Sequence, residues 1–156
     1  MDVHEIDRYV GIAERTQVFS PEEIETLYEI LAEHEEEGYE IVSKKDGDVL
    51  QGYIIFGRTP FTQSGWDIYW LVVSPDSQRK GVGRYLIETA EKVMVQAHGY
   101  AVVRIETSSR DHYLSARTTY ERCGYTRAAV IQDFYKRNDS LVMFTKNIES
   151  GATVRN

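Results

Sequence analysis

The order of strand, glycine-punctuated turn, helix and strand between Asp67 and Thr107 constrains this chain more than any other feature. Asp67 to Val73 (DIYWLVV) is an apolar, strand-like run, and Ser74-Pro75 breaks it. A helix is expected from about Gly83 to Ala97, with Leu86, Ala90, Val93 and Ala97 on one stripe and Ile87 and Met94 beside it. His98-Gly99 ends that helix. Tyr100 to Thr107 then alternates, placing Val103 and Ile105 on one side and Arg104 and Glu106 on the other. A helix between two such strands is a crossover connection, so the strands are expected to lie parallel. The helix start also offers unpaired N–H groups at a positive end, where an anionic phosphate is favoured.

The flanking segments extend this unit into a mixed α/β (α+β) domain. Ser20 is a good N-cap, Pro21 suits the first helical position and Glu23 stands where a capping box wants a carboxylate. Ile24, Leu27, Ile30 and Leu31 mark the apolar face of that helix, and Gly38 stops it. Ile6 to Val18 reads as an earlier helix. Tyr39 to Lys44 and Val49 to Gly57 are expected strands joined by the hairpin signal Asp46-Gly47. After the crossover unit come a short helix, Tyr113 to Arg122, and two strands, Thr126 to Gln132 and Leu141 to Asn147, around a loop from Asp133 to Ser140.

With 156 residues and no linker, repeat or low-complexity block, the chain is expected to be one domain, 1–156. Its parts are a helical segment, 1–38, and a core, 39–148. A net charge of −7 argues against nonspecific nucleic-acid binding, which needs a basic surface, and suits a cationic substrate as well as plain solubility. The first residues, MDVHEIDRYV, lack the basic start and apolar centre of a signal peptide, and no apolar run reaches membrane-spanning length. The lone cysteine, Cys123, excludes an internal disulfide, and the dispersed histidines (His4, His34, His98, His112) show no metal spacing. A cytoplasmic protein with no membrane, nucleic-acid or metal partner is the expectation.

Three phosphate-binding patterns compete for QRKGVG. A Walker loop needs a lysine and a Ser/Thr after its last glycine, but Gly83 is followed by Arg84 and Tyr85, which removes that reading. A dinucleotide fingerprint wants a third glycine where Leu86 stands and a turn directly off the strand, whereas Ser74 to Lys80 intervene. Glu106 would supply its acid, so this reading stays open. The third pattern is a strand ending in Val/Ile, a proline turn, and Gln/Arg-x-x-Gly-x-Gly/Ala opening a long helix. Here those positions are Val73, Pro75, Gln78, Gly81 and Gly83, and at the two glycines a Cβ would block backbone approach to a pyrophosphate. Downstream, YLSARTTYERCGY supplies Tyr113, Ala116, Tyr120, Gly124 and Tyr125. On these two segments the chain resembles the GNAT superfamily of acetyl-CoA-dependent N-acetyltransferases, over about Tyr39 to Ile148. It departs from the pattern at Tyr113, where the family has asparagine, and in showing no strand before the N-terminal helices.

The resemblance implies a mixed central sheet with a strand splay, acetyl-CoA in that splay, and direct acetyl transfer to a small-molecule or peptide amine. It implies that the amides of Arg79, Lys80, Gly81, Val82, Gly83 and Arg84 hold the pyrophosphate. Backbone of Leu71, Val72 and Val73 would pair with the pantetheine arm, the N–H near Val72 facing the thioester carbonyl. Gln78, Tyr113, Ala116 and Arg117 belong to the same cofactor surface, with Arg117 either meeting a phosphate or facing water. Tyr120 is placed as proton donor to the departing thiolate, since a phenol stays protonated at neutral pH. Asp67 and Glu106 are rival bases, and a base acting through water, or none, stays open. Trp66, Phe134 and Tyr135 are acceptor-site candidates, the last two because acceptors often contact the loop between the final strands. A homodimer through those strands fits the family. The rival functions are a noncatalytic acyl-CoA sensor and a nucleotide-cofactor oxidoreductase.

Overall fold

The computed structural model describes residues 1–151. Helix α1 (Val3–Arg15) is capped by Asp2, whose carboxylate accepts from the Glu5 amide at 2.8 Å, and so starts and stops three residues earlier than the expected segment. Helix α2 (Pro21–Glu33) forms the full capping box: Ser20 Oγ accepts from the Glu23 amide at 3.2 Å and Glu23 Oε2 from the Ser20 amide at 2.7 Å. The remaining elements are β1 (Tyr39–Asp46), β2 (Val49–Arg58), β3 (Gly65–Val73), α3 (Val82–Gln96), β4 (Tyr100–Ser108), α4 (Leu114–Arg122), β5 (Thr126–Lys136) and β6 (Asp139–Glu149). The strands make one sheet in the order β1-β2-β3-β4-β6-β5, so among the described residues the sheet does begin at Tyr39.

Both faces of the sheet are covered. Ile6, Tyr9 and Ile12 of α1 and Leu27 and Leu31 of α2 pack on Tyr53, Ile55 and Val72. Leu86, Ile87, Ala90 and Met94 of α3 and Tyr120 of α4 pack on Ile54, Phe56, Ile68, Val103, Ile105 and Phe144. Strand β2 alternates between these two cores, and each fully buried Leu or Ile contributes about 1.5–3 kcal/mol. Gly52 lets β2 and β3 come together under α3: a Cβ there would lie 2.6 Å from the Val72 carbonyl oxygen. Lys146 on β6 ties α3 down from the other side, reaching Glu91 at 2.9 Å while the Tyr125 hydroxyl donates to the same carboxylate at 3.0 Å.

The feature that positions the site is a fork. Strands β3 and β4 are parallel, as the crossover demands, but pair only from Gly65–Val102 to Ile68–Ile105. Beyond that point β3 runs on to Val73 and β4 to Ser108 without touching through hydrogen bonds. The cause lies in β3. Its register with β2 passes from Ile55↔Trp70 to Phe56↔Ile68, leaving Tyr69 as the extra residue of a β-bulge. A bulge bends its strand and raises the local twist, here just where the parallel pairing ends. It also reverses the alternation: Trp66 and Ile68 face the α3 and α4 side before it, Leu71 and Val73 after it.

The expected loop between the last two strands is also corrected. Residues Asp133 to Ser140 are not a loop: β5 continues to Lys136 and turns through Arg137-Asn138, with Asn138 at φ +64°. Phe134 and Tyr135 are therefore strand residues. The polar residues that suggested a loop sit instead at an irregularity in the pairing between Ile131 and Lys136.

Candidate active site

The apex of the fork opens into a cavity of about 200 Å³ lined by Asp67, Ile68, Tyr69, Arg104, Glu106 and Tyr135. Asp67 and Arg104 are register partners across the parallel pair, which sets their side chains together on one face. Arg104 Nε donates to Asp67 Oδ1 at 2.6 Å, and Thr59 Oγ1 donates to Oδ2 at 2.6 Å, so both oxygens of this carboxylate are engaged. The Arg104 guanidinium pKa is raised, chiefly by that hydrogen bond. Glu106, two residues along β4 on the same face, is only 3.8 Å from Arg104 Nε, whose hydrogen is already committed to Asp67. Of the two rival carboxylates, Asp67 is pinned and Glu106 is the available one. Burial, then Asp67, pushes the Tyr69 phenol up; burial, then Glu106, Asp139 and Glu23, does the same to Tyr135.

At the far end of β3, Pro75–Ser77 form a short 3-10 turn and the chain then enters α3 through Gln78 to Gly81. Arg79 has φ +59° and Gly81 +77°, left-handed residues on either side of Lys80, an arrangement that turns successive amides toward one concave side. Among the described residues none of the amides from Arg79 to Arg84 makes a hydrogen bond of ordinary geometry, while the Tyr85 amide donates to the Gly81 carbonyl at 3.0 Å. Between this cradle and the fork apex, the side of β3 turned away from β2 has no partner strand among the described residues. A diphosphate at the cradle, with an extended arm laid along β3, fits these groups.

A family model, the acetyltransferase (GNAT) family, matches residues 8–125. The chain belongs to the GNAT family. GNAT proteins are acyltransferases, and this chain is an N-acyltransferase with acetyl-CoA as its cosubstrate. A GNAT-family protein from Desulfovibrio desulfuricans shares 30% identity over 95% of this chain and 94% of that one, with a TM-score of 0.86. An aminoglycoside 6'-N-acetyltransferase solved with coenzyme A has 17% identity over 94% and 92% of the two chains and a TM-score of 0.74. A ribosomal-protein alanine N-acetyltransferase from Escherichia coli has 18% identity over 100% and 95%, also at 0.74. At these lower identities the likeness is one of fold. Among curated proteins no significant match is found.

On the GNAT frame, α4 follows the open arm of β4. Tyr120 is 6% exposed, in T-shaped contact with Phe144 at 5.8 Å and Tyr125 at 6.4 Å. Among the described residues its hydroxyl makes no hydrogen bond, and the ring is packed into the core beneath α3 and α4. Burial pushes its pKa well above the usual phenol range. Ala116 packs at the edge of the same core. Arg117 is turned inward: its Nη1 donates to the carbonyls of Ser108 at 2.6 Å and Arg110 at 2.8 Å, which fixes the end of β4 rather than presenting the guanidinium to a phosphate.

Tyr113, where the family pattern has asparagine, reaches across to α2. Its hydroxyl donates to Glu23 Oε1 at 3.0 Å, and the Phe19 ring is 4.8 Å from Trp70 on β3 and 6.5 Å from Tyr113, centre to centre. Trp66 is not at the cavity. It is 5% exposed, stacked near Phe56 at 6.0 Å in the core on the opposite face, because its position before the bulge gives it the inward phase. Phe134 stands exposed on β5 against Tyr135, and only Tyr135 lines the cavity. Tyr69, Arg104 and Glu23 are the residues the sequence reading left out of the site. The alternation of Arg104 with Val103 was the one available signal. Nothing in the sequence marks the bulge at Tyr69.

Proposed function

We propose that this GNAT protein transfers acetyl from acetyl-CoA directly to a primary amine at the fork apex, with Glu106 as base and Tyr120 as acid. The carrying observation is the order along the fork: Glu106 of β4 lines the cavity at its apex, the side of Leu71 to Val73 turned from β2 has no pairing among the described residues, and the amides of Arg79 to Arg84 follow at the start of α3. In this reading the amides hold the pyrophosphate at a positive helix end, with Gln78 at the start of the turn. The β3 backbone aligns the arm like an added strand. Glu106 takes the proton that the nitrogen loses as it bonds to the acyl carbon. The Tyr120 hydroxyl delivers a proton to the sulfur as the C–S bond breaks. Arg104 and Asp67 position Glu106 without exchanging protons, and Tyr113, Ala116 and Arg117 shape the wall that α4 presents.

We place the reaction in the cytoplasm, on the lone buried thiol of Cys123. We also propose a homodimer through β5, an edge strand whose 11 residues are all exposed, Val130 and Ile131 included. Sedimentation of the purified chain checks it. The activity itself is tested by thiol release from acetyl-CoA over a panel of primary amines, with the product read by mass. Release that depends on both partners supports transfer. Coenzyme A binding with no release over the whole panel contradicts it and favours an acyl-CoA sensor.

A further inference from the structure

We infer that Tyr113 and Glu23 are positioning residues: with Phe19, their hydrogen bond braces the two open arms of the fork at the width the pantetheine arm of the cofactor needs. The inference rests on the cofactor reading above, in which that arm lies along β3.

Beyond Ile68 and Ile105 no ladder pair joins β3 to β4 among the described residues, so contacts outside the sheet set the gap between the arms. The segment from Phe19 to Glu23 links them. On one side, the bulge at Tyr69 turns Trp70 and Val72 toward α1 and α2, and the Trp70 ring meets that of Phe19 at 4.8 Å. On the other, Tyr113 stands just before α4, its ring edge-on to Phe19 at 6.5 Å and its hydroxyl donating to Glu23 Oε1 at 3.0 Å. Tyr113 is tied to the β4 arm in turn. One turn along α4, Arg117 donates to the Ser108 carbonyl at 2.6 Å and to the Arg110 carbonyl at 2.8 Å.

The link is stiff at its centre. Glu23 uses its other oxygen, Oε2, to accept from the Ser20 amide at 2.7 Å, so the carboxylate that holds Tyr113 is itself fixed in the first turn of α2. Upstream, Thr16 Oγ1 donates to the Ala13 carbonyl at 2.6 Å and accepts from the Val18 amide at 3.3 Å, which restrains the connection from α1. A phenol donating to an ionised carboxylate makes a stronger bond than a neutral pair. Asparagine, which the family pattern has at this position, ends well short of the phenol oxygen. The brace therefore goes with this chain's own departure from the pattern.

The test measures Kd by calorimetry for coenzyme A and for the phosphoadenosine diphosphate fragment that lacks the pantetheine arm, so that their ratio isolates the arm. Tyr113→Phe keeps the ring and the capping box. In it, coenzyme A is expected to bind about tenfold more weakly, the order of one hydrogen bond to a charged group, with the fragment's affinity unchanged. Phe19→Ala, which leaves Glu23 and Ser20 in place, should shift the ratio in the same direction. Glu23→Gln combined with Tyr113→Phe should cost no more than Tyr113→Phe alone, because both remove one contact. An unchanged ratio in Tyr113→Phe, even with a lowered melting temperature, overturns the brace and leaves the cofactor reading standing. So does a loss shared equally by the fragment. Coenzyme A binding no tighter than the fragment in the unaltered protein removes the arm from the fork, and the brace with it.

Discussion

Arg104 and Asp67 are locked to each other at 2.6 Å across the last stretch of parallel pairing, which takes Asp67 out of contention as a proton acceptor. Glu106→Gln is accordingly expected to lower kcat by about a hundredfold to ten-thousandfold, the usual range for a lost general base. Asp67→Asn should cost about tenfold, by letting Arg104 swing onto Glu106 and by loosening Thr59. Steady-state kinetics of the two variants side by side check this; a larger loss in Asp67→Asn reverses the assignment.

Tyr120→Phe is expected to lower kcat by about a hundredfold or more while leaving the affinity for coenzyme A within a few-fold. Among the described residues the hydroxyl has no hydrogen-bond partner, so its removal should leave the fold unaffected. Because burial raises this phenol's pKa, it stays a proton donor throughout the neutral and mildly alkaline range. Unchanged turnover in the variant removes Tyr120 from the mechanism.

Gly52→Ala should destabilise by about 2–3 kcal/mol, since its Cβ would meet main chain, the Val72 carbonyl at 2.6 Å, rather than a side chain able to move away. The same substitution pushes on the fork arm, so weaker coenzyme A binding should accompany the loss. Urea unfolding with and without coenzyme A reads both effects. A variant as stable as the parent contradicts the close packing of β2 on β3.

Alkaline pH should unfold the protein. Burial is the first cause of raised pKa values at Tyr53, Tyr120 and Tyr125. A folded-state pKa above the unfolded one means that these groups favour the folded state fully below the unfolded value of about 10, and that this stability is lost as pH rises beyond it. Urea midpoints should therefore change little from these groups up to about pH 9 and fall above about pH 10. A midpoint that holds to about pH 11.5 contradicts the burial of these phenols.

Local signals carried much of the fold. Ser20, Pro21 and Glu23 announced the start of α2 because a capping box is written in side chains three positions apart. Pro75 and Gly81 announced the turn into α3 because proline opens such a turn and Gly81 stands at φ +77°, a conformation that favours glycine. The bulge at Tyr69 was silent, since an extra residue in a strand is set by pairing with β2 and not by the identity of the residue. Its phase reversal is what sends Trp66 into the core and Tyr69 to the cavity. Phe134 and Tyr135 were misplaced because Asp133 and Asn138 look like loop residues, when their positive φ angles of 54° and 64° serve an irregular strand and a tight turn. Arg117 carries a charge that the sequence shows, but its inward direction depends on the Ser108 and Arg110 carbonyls, which only the folded chain brings near.

The amides of Arg79 to Arg84 test the central claim most directly, by hydrogen exchange in the full chain with and without coenzyme A. Without a hydrogen bond of ordinary geometry among the described residues, they should exchange quickly alone and about a hundredfold more slowly at a ligand concentration near 100 times Kd. Protection elsewhere, with these amides still exchanging at their free rate, would contradict the account.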